Sequence, residues 1–178
     1  MADDVPSALA GYSVGQIRVF VAEWLASWIE PQALVVRIYD GGCPPALMPD
    51  ATYTIPWSEL ETELLYEVSP RTVYQVDAAL DPPFTVNADM SIGVYCVIDW
   101  ENQPYTGVCV TAPDDLSGCG EGYWDYPASG YPRWTLLWTA AGYELDLAYS
   151  LWEPDTSAPG GDSALVESTW SVVKSLYR

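Results

Sequence analysis

The clearest alternation of apolar and polar positions runs through 33–40, ALVVRIYD. Leu34, Val36 and Ile38 point one way and Val35, Arg37 and Tyr39 the other. That period of two, in β-branched and aromatic residues, predicts a strand with one dry and one wetter face. Asp40, Gly41 and Gly42 then supply the positive φ of a tight turn, and Pro44 and Pro45 block the ladder. The same period recurs upstream, where Ile17, Val19 and Val21 alternate with Arg18, Phe20 and Ala22 before Pro31 closes the segment. A short edge strand is expected at Ala2 to Val5, and brief strands at Tyr53 to Ile55 and in Trp57 to Ser69. Arg71 to Ala79 alternates cleanly and is expected to stop at a turn on Asp81, Pro82 and Pro83, before a short Phe84 to Val86 piece.

Ser91 to Trp100 has Ile92, Val94, Cys96, Ile98 and Trp100 on one face and reads as a central strand, with Thr106 to Thr111 pairing back onto it. Ala112 to Arg133 is rich in Gly, Pro, Asp and Tyr and reads as a long surface loop, followed by strands at Trp134 to Thr139 and Leu145 to Trp152. The pattern amounts to roughly nine strands about ten residues apart, which predicts an all-β, antiparallel, jelly-roll-like β-sandwich. After Trp152 the composition changes. Residues 1–153 are expected to form the sandwich domain, and 154–178 a linker and C-terminal tail in which Leu165, Val166, Trp170, Val173 and Tyr177 have near-helical spacing.

Charge narrows the partners. With 25 acidic against six basic residues the chain carries −19, so phosphate backbones and anionic membrane surfaces are repelled and no nucleic acid is expected. No apolar run reaches the length of a membrane span, so no insertion is expected. The acids are scattered, which describes a soluble surface; calcium is the one cofactor they suggest, with Asp3 and Asp4 beside Asp40 or Asp146 as ligands.

Cys43, Cys96, Cys109 and Cys119 are even in number and include no CxxC pair, and histidine is absent. Disulfides are therefore expected in preference to zinc. Of the three pairings, Cys109 with Cys119 would close a short loop and Cys43 with Cys96 would tie the turn after 33–40 to a central strand. Nine Trp and 13 Tyr against two Phe suit an exported, binding-prone surface, and an exported chain would need its leader upstream of Met1.

The stretches LVVRIYDGGCPPALM, VYQVDAALDPPFTV, SIGVYCVIDW and DLAYSLWE, in this order behind an ADDV opening, resemble the jelly-roll β-sandwich modules of large secreted bacterial proteins, found near C-terminal sorting or anchoring regions. The likeness spans about residues 2–153 and implies a β-sandwich at the cell surface, often non-catalytic, within a longer chain.

The absence of histidine removes Ser/His/Asp and Cys/His catalysis, and no phosphate-cradling loop is present. A carboxylate pair acting on a glycoside is the enzymatic reading that survives. The binding candidate is GCGEGYWDYPASGYPRW, where Tyr123, Trp124, Asp125, Tyr126, Tyr131, Arg133 and Trp134 set flat apolar faces beside hydrogen-bonding groups suited to sugar rings or a protein partner. Such aromatics also fold back to cover the end of a sandwich. The expected function is a non-catalytic, monomeric extracellular module binding carbohydrate or another extracellular protein, with a structural or anchoring spacer as the alternative. The calcium reading is checked by thermal melts at matched ionic strength: a specific site raises the melting temperature more with calcium than with sodium, whereas screening acts equally for both.

Overall fold

The computed structural model describes residues 2–23, 28–41, 45–46, 48–68, 71–99, 106–111, 123–124, 135–136 and 146–154, with backbone alone at 2–4, 68, 71, 110–111, 123–124, 135–136 and 146. The described residues form an all-β fold. Its strands in chain order are β1 (Ala2–Asp4), β2 (Ser13–Glu23), β3 (Ala33–Asp40), β4 (Ala51–Pro56), β5 (Glu61–Val68), β6 (Arg71–Thr85) and β7 (Met90–Val97). Short pieces follow: β8 (Thr106–Val108), β9 (Val110–Thr111), β10 (Tyr123–Trp124), β11 (Thr135–Leu136), β12 (Asp146–Leu147) and β13 (Tyr149–Trp152). Among the described residues the only helical pieces are 3-10 turns at Ser7–Leu9 and Trp57–Glu59.

Two antiparallel sheets share the core. One has the order β11-β10-β1-β7-β3-β4, and the other β13-β2-β6-β5, with β8 also paired to β2 and a separate β12–β9 ladder. Leu34, Val36 and Ile38 of β3 and Ile92 and Val94 of β7 meet Ile17, Val19 and Val21 of β2, Val76 and Ala78 of β6, and Leu147, Tyr149 and Leu151. Each such aliphatic side chain contributes about 1.5–3 kcal/mol by leaving water, and together they hold the sheets face to face.

The structure refines several expectations. The second face of β3 is drier than expected: Val35 is 2% and Tyr39 1% exposed, on the side opposite the shared core, with Arg37 part-buried between them. The outer face of β2 is dry at Phe20 and Ala22, each 2% exposed, which form a second cluster with Val73, Cys109 and Ala148, while Gln16 and Arg18 on the same face stay part-exposed. β1 is not an edge strand, because it lies between β7 and β10. The Asp81-Pro82-Pro83 stretch does not end its strand. β6 continues to Thr85, and residues 80–83 bulge out between Gln16↔Ala79 and Val14↔Phe84, so neither proline owes the β2 ladder a donor. Thr106–Val108 pairs with β2 instead of β7, which puts Val108 opposite Val21 and into the core. Gly41, at φ +102°, makes the turn after β3 as its sequence requires.

Strand β13 leads into Pro154, which lies against Gly15 on β2. A Cβ added at Gly15 would sit 2.6 Å from Pro154 Cα and 2.7 Å from its Cβ, so the close approach needs glycine. Backbone must shift to admit more. Gly15→Ala should cost about 1–3 kcal/mol and lower the melting temperature by several degrees, whereas Gly107→Ala, with nothing within 4 Å, should stay near the parent.

Candidate functional site

A cleft of about 190 Å3 opens on the outer face of the second sheet, lined by Gln16, Ile17, Glu59, Glu61, Asp77, Ala78, Ala79 and Trp152. Its floor follows from strand alternation. Ile17 and Val19 point to the core, so Gln16 and Arg18 point outward, and register sets Trp152, Gln16 and Ala79 in one row and Ser150, Arg18, Asp77 and Glu61 in the next. Glu59 comes from the 3-10 turn that precedes β5.

Arg18 organises the floor. Its Nε donates to Asp77 Oδ1 at 2.6 Å and its Nη2 to Asp77 Oδ2 at 3.0 Å, and Gln75 Nε2 donates to the same Oδ2 at 3.2 Å. The guanidinium also lies over the Trp152 ring, 5.1 Å from its centroid. With 18% and 16% of the two side chains exposed, this is a largely dry bidentate pair that fixes both partners and one face of the indole. Glu59 and Glu61 are exposed and in no ion pair among the described residues. The cleft therefore offers two open carboxylates, a primary amide and the margin of a ring, with its one cation already engaged.

The opposite sheet carries a second arginine–aromatic contact, Arg37 over Tyr95 at 5.0 Å, with Arg37 Nε buried and lacking a hydrogen-bond partner. Trp28 packs tilted by 39° against Tyr74, with centroids 4.3 Å apart, and meets Trp57 at 5.9 Å, covering one margin of the core. Tyr53 donates its hydroxyl to the Pro82 carbonyl at 2.8 Å, and burial followed by the charge of Asp81 raises its pKa.

The expected cysteine bridges are corrected. Cys96 and Cys109 are thiols in the structure, so neither Cys43–Cys96 nor Cys109–Cys119 is formed; Cys43 and Cys119 themselves lie outside the described residues. Each described cysteine behaves as a small apolar side chain, Cys109 wholly buried with Phe20, Ala22, Val73 and Ala148, and Cys96 packed against the main core. Burial, with the Cys109 thiol adding to it, pushes the Cys96 thiol up to about 12.

Of the aromatic candidates, Tyr123 and Trp124 form β10, which joins β1 to β11 in the first sheet; their side chains, and Asp125, Tyr126, Tyr131, Arg133 and Trp134, lie outside what is described. The same holds for the side chains of Asp3, Asp4 and Asp146, and no group of three acids or cysteines is placed to hold a metal among the described residues. The sheet-face cleft was not read from the sequence. Its signal is there in part, because Gln16 and Arg18 alternate with core residues, as Asp77 does with Val76 and Ala78, but which row of β6 meets which row of β2 is decided by the bulge at 80–83.

No protein-family profile, curated protein or solved structure matches the chain.

The Cys96 environment has a measurable signature. At pH 8 the folded protein should alkylate at Cys96 on the order of a thousandfold more slowly than in denaturant, read by residue-resolved mass spectrometry with iodoacetamide. Because the folded pKa of about 12 exceeds the ordinary 9.0, the stability due to the neutral thiol is complete below pH 9 and declines as pH rises towards 12.

Proposed function

We propose that the chain is a non-catalytic, jelly-roll-like β-sandwich binding module of a larger extracellular protein, with a carbohydrate as its ligand. The observation that supports this is the sheet-face cleft. Sugar hydroxyls donate to carboxylates and accept from amides, and Glu59, Glu61 and Gln16 supply both kinds of partner around the margin of Trp152. Asp77 holds its oxygens against Arg18 and Gln75, which leaves it poorly suited to act as a proton donor or a nucleophile on a glycoside. The loop bearing Tyr123, Trp124, Tyr126, Tyr131 and Trp134 would add ring faces to the same function. Extracellular placement rests on the acidic charge and aromatic content, since the argument from paired cysteines falls away.

A spacer or anchoring role is the second reading. It is favoured by β3 and the Val19 to Glu23 part of β2 being largely buried on both faces, which leaves little open sheet for a ligand outside the cleft. The experiment that separates the two is a glycan array followed by calorimetric titration of any sugar captured. Glu61→Gln and Gln16→Ala, both at the cleft, should weaken a genuine ligand at least about tenfold, or 1.4 kcal/mol, with unchanged melting temperatures. A blank array, or a sugar whose affinity ignores both substitutions, would remove the cleft as its site.

A further inference from the structure

The inner face of β2 ends on a carboxyl group. Register sets Glu67, Thr72, Glu23 and Thr106 in one row across β5, β6, β2 and β8, and Glu23 is 0% and Thr72 7% exposed. Glu23 Oε2 accepts from the Ile29 backbone N–H at 3.0 Å. Its other oxygen, Oε1, and Thr106 Oγ1 are both buried with no hydrogen-bond partner. Side chains directly opposite across an antiparallel pair have their Cβ atoms about 4.5–5.5 Å apart, so two unmet polar atoms occupy neighbouring ground in the sandwich. That is costly for a neutral acid and more so for a carboxylate.

Strand β8 is short. Three register pairs, Val21↔Val108, Ala22↔Gly107 and Glu23↔Thr106, and one following hydrogen bond, from the Cys109 N–H to the Phe20 carbonyl at 2.7 Å, seat it on β2, and the Cys109 carbonyl in turn accepts from the Ala148 N–H at 3.2 Å, ahead of the β9–β12 ladder. Strand β6, by contrast, runs beside β2 from Ser13 to Glu23.

Among the described residues no counter-charge pairs with Glu23: Thr72 from β6, Thr106 from β8 and the Ile29 amide are the groups set beside it. Further out stand Glu67 on β5, Tyr74 on β6, whose pKa is raised by burial and by Glu67 and Glu30, and, facing inward from β7, the neutral thiol of Cys96. Among the described residues the one ion pair is Arg18–Asp77, elsewhere on β2.

We propose that Glu23 is a proton-operated latch on β8: protonated it stays in the sandwich with β8 seated on β2, and ionised it draws water to the site and lets β8 lift away. Burial raises the pKa of Glu23, opposed by the Ile29 amide. A carboxyl whose folded pKa lies above its ordinary 4.5 is fully stabilised below pH 4.5 and loses that stability as pH rises through the folded value. The seated form is thus the acid form, and β8 opens more readily towards neutrality.

Hydrogen exchange at the Cys109 amide tests this on the whole chain. Corrected for intrinsic exchange, protection should fall by at least about threefold between pH 4 and pH 8, with at most a tenfold fall per pH unit, while amides of the β3–β7 ladder change little. Glu23→Gln keeps the shape and removes the charge, so its profile should be flat. Thr106→Val, which removes the unmet hydroxyl, should raise protection at every pH and keep the slope. A flat profile in the parent protein, or a Gln variant that retains the slope, would overturn the latch; the parent profile decides even if a variant fails to fold.

Discussion

From Val19 to Glu23 strand β2 is dry on both sides, and much of the molecule is arranged around that requirement. Ile17, Val19 and Val21 take the shared core, while Phe20 and Ala22 take a second cluster on the other face, where Cys109 and Ala148 close over them. A strand hidden in this way can hold a charge only if the charge is answered on the spot. Arg18 is answered twice, by both oxygens of Asp77 and by the ring of Trp152. Glu23, the last residue of the same strand, is answered by a single backbone amide. One strand thus carries a satisfied ion and a half-satisfied acid, a contrast on which the proposed latch rests.

Much of the fold could be read before any coordinates. Period-two alternation in 17–22, 33–39 and 71–79 identified the long strands and their core faces, because side-chain direction in a strand is a local property. Partnership was less legible. The expected return of Thr106 to Thr111 onto the central strand assumed that sequence neighbours pair, yet β8 crosses to the other sheet, where Val108 finds Val21. Pro82 and Pro83 read as a stop because proline lacks a ladder donor, but a bulge gives them a place where none is required. The apparently wet face of β3 failed for another reason: Arg37 and Tyr39 are amphipathic, and their polar tips disguise stems that bury well.

The candidate site was the least legible part, for a related reason. A cleft across a sheet is built from one or two residues of each of several strands, and nothing in the spacing of Gln16, Glu61, Asp77 and Trp152 brings them together until register is known. Sequence reading favours contiguous candidates such as the 118–134 loop. An even cysteine count likewise says nothing of whether the thiols face one another or fill gaps in a core, as Cys96 and Cys109 do.

Among the described residues strand β5 is the outer strand of the second sheet, with Glu61, Glu63 and Glu67 along it and a register shift between Leu64 and Tyr66. An open edge of this kind would invite a second chain to add a strand, but repeated negative charge and a kinked ladder make that addition unfavourable. Copies crowded side by side at high local concentration would therefore stay discrete along this border, and the molecule can be displayed densely without seeding fibres from it.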